Sequence, residues 1–107
     1  MPMLELSDIR EHLRIEEEDV SDKLLTAYWE GAISLFEART GRLLFEGPDL
    51  PSDAPPNALL MNMDVLNALL MITAHRNENR GATSQVAEQI VPMGAQQIME
   101  MHRWFYD

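Results

Sequence analysis

Apolar positions along the chain fall into stretches of helical spacing divided by polar breaks. In "LSDIREHL", Ile9 and Leu13 stand four apart, which turns both to one side of a helix. Ser7 is the expected N-cap, with Asp8 in the first turn. After the polar break "RIEEEDVSD", Ser21 is expected to cap a long second helix in which Leu25, Tyr28, Trp29, Ala32 and Phe36 share a face. Gly41 supplies the left-handed conformation that closes such a helix, and Arg39 and Arg42 stand near the negative end of its dipole. Residues 45–56, "FEGPDLPSDAPP", hold four of the six prolines and cannot continue a helix. They read as a connecting loop.

From Asn57 the pattern predicts the longest helix, with two apolar stripes. Leu59, Met63, Leu66, Leu70 and Thr73 form one; Met61, Val65, Ala68 and Ile72 form the other. Two apolar faces need two partners, and a chain of 107 residues has little with which to cover both. The second stripe, together with Arg76 and Arg80, is therefore the expected interface between copies of the chain. Asp64, Asn67, His75 and Glu78 mark the polar side, and with Asn62 they break the ~20-residue apolar run that a membrane span requires. Gly81 is expected to end this helix, "ATSQVAEQI" to form a loop, and Pro92 to open a last short helix reaching His102. Strand candidates are confined to Arg42–Phe45 and Gln89–Val91. The predicted fold is all-α, a single domain over residues 1–107. It has two long antiparallel helices, short N- and C-terminal helices and a proline-rich connecting loop.

Composition narrows the chemistry. The absence of cysteine excludes disulfides, thiol chemistry and Cys-based zinc sites. Eighteen acidic residues against eight basic ones give a net charge of -10, which opposes binding to a phosphate backbone. Hydrophobic residues make up 46% of the chain and alternate with the acids, so the charge belongs to a folded domain rather than a disordered tail. The N-terminal "MPMLELSDIREHL" carries Glu5, Asp8 and Glu11 where a secretory signal needs a basic start and an apolar stretch. No export is expected. The run Glu16, Glu17, Glu18, Asp19 lacks the alternating ligands and the glycine of a calcium loop, and is expected to form a solvated acidic surface.

Candidate sites are few. His75 and Glu78, three apart on a helix, have the spacing of a metal-binding pair in some bundles, but they make half a site at most. Neither a metal nor another cofactor is expected. Arg76 and Arg80 form an i, i+4 pair suited to a helix end and to carboxylates, including those of a neighbouring copy. The serines sit in no nucleophile elbow, and the chain has no phosphate-cradling glycine loop, so no enzymatic activity is expected. The methionines of the third and last helices read as core filling. Trp104, Phe105 and Tyr106 gather at an end that cannot easily fold inward as a whole, and are expected to dock onto a partner.

Four segments, "LSDIREHLRIEEED", "LLTAYWEGAISLFEARTGRLL", "LLMITAHRNENRGAT" and "VPMGAQQIM", occur in an order and spacing that resemble the head-tail connector (head-completion or adaptor) family of tailed bacteriophages. The chain departs from that pattern at Arg76 and Asn77, where an aromatic residue usually follows the histidine, and in the terminal "HRWFYD"; Glu78, Asn79 and Arg80 match. The resemblance implies a structural subunit of a homo-oligomeric ring, dodecameric when assembled, beneath the phage portal protein. Such a ring would extend the DNA channel and offer a surface to the next head-completion or tail protein. It also implies residence at the head-tail junction of the virion, host cytoplasm during assembly, double-stranded DNA met only in passage, and no membrane. In that setting Glu16, Glu17, Glu18 and Asp19 are candidates for an acidic channel surface. A small acidic helical adaptor or regulatory protein binding a single protein partner is the alternative.

Overall fold

The computed structural model of the chain describes residues 5–16, 18–46, 49–78 and 92–104. Helix α1, Leu6–Leu13, begins before the expected Ser7 cap. The Glu5 amide donates to the Asp8 carboxylate at 3.1 Å, so the acid of the first turn closes the helix start and Ser7 lies inside it. The helix ends at Arg14, whose φ of 54° is uncommon for a residue with a side chain. That left-handed turn lets the Ile15 amide donate back to the Arg10 carbonyl at 3.0 Å and sends Ile15 into the core.

Helix α2, Asp22–Thr40, has the ends that its sequence predicts. The Ser21 hydroxyl accepts from the Leu24 amide at 3.1 Å. At the other end Gly41 adopts a φ of 71° and donates its amide to the Glu37 carbonyl. Leu25, Trp29, Ala32 and Phe36 are buried along one face, with Tyr28 half-buried beside them.

The chain then departs from all-α. Strand β1, Leu43–Phe45, pairs in parallel with β2, Ala58–Leu60, with Leu44 opposite Leu59. Parallel strands require a crossover of about a dozen residues or more, and the proline-rich segment 46–57 provides that length, with no helix among its described residues. Glu37 accepts the Leu44 amide at 2.8 Å, and the Asn57 side chain donates to the Gly41 carbonyl at 2.8 Å. Both bonds fix the small sheet to the end of α2. The fold is mostly helical, with this two-stranded sheet added.

Pairing of Ala58–Leu60 also shortens the longest predicted helix, since α3 runs from Met63 to Glu78 rather than from Asn57. Asn62 caps it: its side-chain oxygen accepts from the Val65 amide at 3.0 Å and its carbonyl from Leu66 at 2.9 Å. Helix α4, Met93–His102, follows Pro92 as predicted. The expected helix stop at Gly81, the loop "ATSQVAEQI" and the strand candidate Gln89–Val91 lie outside the described residues, which resume at Pro92.

Helix α3 forms the centre of the subunit, packed against α2, α4 and α1. Val65, Leu66, Ala68, Leu69, Leu70, Ile72 and Thr73 are all buried, so both apolar stripes are covered from Val65 onward by the same chain, while Met63 of the first stripe stays 56% exposed. Met61, Val65, Ala68 and Ile72 retain 7%, 0%, 0% and 2% of their surface, which leaves nothing to present to another copy. The expected use of this stripe as an oligomer interface is therefore corrected. The missing partner is α4, whose Ala95 and Met99 are buried in the same core.

Candidate assembly surfaces

The acidic turn is organised from inside by Arg10. This residue is 8% exposed, and its guanidinium donates to the carbonyls of Glu16 (3.0 Å) and Val20 (2.7 Å) and to the Asp22 carboxylate (2.8 Å). A planar cation with several donors fits this work, since it satisfies carbonyls from both ends of a turn that has no ladder of its own. With the backbone held inward, the side chains of Glu16, Glu18 and Asp19 stand exposed. Glu17 lies outside the described residues. Sequence reasoning passed over Arg10, although an arginine just ahead of a five-acid segment was a legible sign.

At the opposite end of α2, Arg42 ties down the C-terminal segment. Its Nε donates to the His102 carbonyl at 2.7 Å, and its guanidinium lies 4.9 Å from the centre of the Trp104 ring. The Trp104 amide donates to the Thr40 carbonyl at 2.7 Å. Trp104 is thus half-buried and anchored within its own subunit, next to Gly41. Phe105 and Tyr106 lie outside the described residues.

Of the two expected interface arginines the structure describes one. Arg76 is half-buried and lies across α2, where a Cβ placed on Gly31 would come within 3.3 Å of its guanidinium. Gly31 thus leaves room for this contact. Arg80 lies outside the described residues. On the same helix His75 is half-buried and Glu78 exposed, and no group of three or more metal-ligating side chains gathers among the described residues.

Two concave surfaces among the described residues carry charged side chains at their edges, and the sequence pattern announced neither. A groove of about 690 Å³ lies between α1, α2 and β1, with Leu6, Ile9, Trp29, Ile33, Leu44 and Met61 among its lining. Three exposed carboxylates, Glu5, Glu30 and Glu46, also line it. A smaller cleft of about 260 Å³ lies where α2 meets α4, lined by Arg39, Gln96, Met99, Glu100 and Arg103. Arg103 stands 4.0 Å from Glu100 in an exposed pair of little energetic weight.

The chain is a small, mostly helical subunit with one hydrophobic core and charged, concave flanks. Residues 3–103 match the profile of the phage gp6-like head-tail connector proteins, and the chain belongs to that family. It is accordingly a structural phage protein of the virion, working in contact with other head and tail proteins. Among the described residues no helix is long and apolar enough to cross a membrane. Comparison with curated proteins and with solved structures finds no match.

Proposed function

We propose that the chain is a ring subunit of the head-tail junction. Copies assemble into a closed homo-oligomer, dodecameric in the particle, that docks beneath the portal protein and extends the DNA channel. The far side of the ring receives the next head-completion or tail protein. Assembly takes place in the host cytoplasm, and the subunit performs no chemistry. The observation that carries this reading is the family match, which spans residues 3–103 of the 107-residue chain. Native mass spectrometry over a concentration series, alone and with portal protein, tests it. A closed oligomer of one size is expected. Monomers or dimers that never assemble on the portal would instead favour an adaptor with a single protein partner.

A ring of subunits each carrying a charge of -10 surrounds passing DNA with negative potential, along which a duplex slides without sticking. The exposed side chains of Glu16, Glu18 and Asp19 suit such a surface. Reversal of Glu16, Glu17, Glu18 and Asp19 to Lys is expected to leave the thermal midpoint of the subunit within a few degrees, because exposed turn side chains cost little to replace. Particles carrying the four lysines should retain DNA and release it more slowly. Normal ring assembly with unchanged release would show that the run faces away from the DNA path.

A further inference from the structure

The groove between α1 and α2 has the character of a receiving surface. Its apolar lining is edged by Glu5, Glu30 and Glu46, and among the described residues no cation lines it. The groove therefore lacks two things that an occupant would supply: apolar side chains and positive charge.

The other flank of the same subunit offers both. Arg39 and Arg103 stand exposed at the cleft between α2 and α4, and Met93, seven residues before Glu100 and so on the same side of α4, is 74% exposed. Methionine is flexible enough to fill an irregular apolar surface. Helix α2 carries both flanks. Ile33 of the groove and Arg39 of the cleft are six residues apart, which places them about 120° apart around the helix axis, with buried Phe36 between them.

We propose that the groove of one copy receives the α2–α4 edge of the next, with Arg39 and Arg103 against the groove carboxylates and Met93 of α4 against its apolar lining. The two surfaces differ, so the contact is head-to-tail, the kind that repeats into a closed ring or an open filament. Copies of a chain with net charge -10 repel one another overall, and the complementary edge sets which faces meet. The inference rests on the ring reading above and assigns it an interface.

Two variants test it. One carries Glu30→Lys and Glu46→Lys in the groove; the other carries Arg39→Glu and Arg103→Glu at the edge. Glu5 is left in place because its backbone opens α1. All four positions are exposed, and matching thermal melts establish that the variants fold. Each variant alone brings like charges together at every contact, so its assembly should weaken on the order of a hundredfold. In an equimolar mixture every contact can join opposite charges, and assembly should return in complexes that contain both chains in alternation. Native mass spectrometry reads this directly. Variants that each assemble as well as the unaltered chain overturn the interface while the ring reading stands. Two assembly-deficient variants that stay apart on mixing also overturn it. If the unaltered chain forms open filaments whose growth follows the same charge rules, the interface holds and the closed ring fails. An unaltered chain that remains monomeric at the highest attainable concentration overturns self-docking in the groove.

Discussion

Replacing Val65 with Asp is expected to leave no stably folded subunit. Val65 is fully buried on the central helix, and the core around it is almost entirely apolar. A carboxylate there has lost its water and gained no cation. Arg10, the buried arginine among the described residues, is already engaged with Glu16, Val20 and Asp22. An uncompensated buried charge costs about 3–5 kcal/mol or more, against a total stability of about 5–15 kcal/mol for an ordinary small domain. The loss of the helical circular-dichroism signal, or a urea midpoint shifted to very low denaturant, is the measurement. Val65→Ala is the control: it removes methyl groups without adding charge, should cost about 1–3 kcal/mol and should still unfold cooperatively. A soluble Val65→Asp monomer with a native-like melt would show that this position faces another subunit, as the periodicity alone suggested, and would overturn its place in the core.

That reversal shows how far the pattern could be read. Helix periodicity identified the buried positions of α3 from Val65 to Thr73 except Leu69, because side-chain direction along a helix is a local property, but it also carried Leu59 of β2 and the exposed Met63 into a stripe. It could not identify their partners. Burial depends on which distant segment returns to cover a face, and here α4 brings Ala95 and Met99 from the far end of the chain. The ends of α2 were legible for the same local reason: Ser21 and Gly41 act within a few residues of themselves. The parallel pairing of Leu43–Phe45 with Ala58–Leu60 was not, since an apolar run such as "ALLM" satisfies a helix or a buried strand equally well, and only its register with a distant strand decides. Asn62 was the overlooked local sign. An asparagine followed by an acid in the first turn is a helix start, and it separates the strand from α3. The groove and the cleft were beyond sequence reading, because each is made where elements meet. Their carboxylates and arginines are scattered through the chain as ordinary surface charges.

Arg10→Ala is expected to have the second-largest effect, lowering stability by about 2–3 kcal/mol. The salt bridge supplies the smaller part of this, because the side chain of Asp22 is 74% exposed and an ion pair open to water is worth little. The larger part comes from the carbonyls of Glu16 and Val20, whose bonds to Arg10 are 3.0 and 2.7 Å long; the one at Val20 is buried, so its acceptor would be left without a partner. Arg10→Lys should recover only a fraction, since an ammonium lacks the planar fork that reaches carbonyls on both sides of the turn. Asp22→Asn should cost no more than about 1 kcal/mol. Urea denaturation orders the three variants, and amide exchange shows where the loss falls: in Arg10→Ala the turn around Glu16–Val20 should exchange faster even under conditions where α2 and α3 remain protected. A melt and exchange pattern unchanged from the original chain would mean that the turn holds its shape without Arg10. If the turn does loosen, its acids lose their common outward direction while the subunit's charge falls by only one positive residue. Particles carrying Arg10→Ala would then separate acid placement from acid quantity. Altered DNA release, with ring assembly intact, would follow from placement, because every carboxylate of the run is still present.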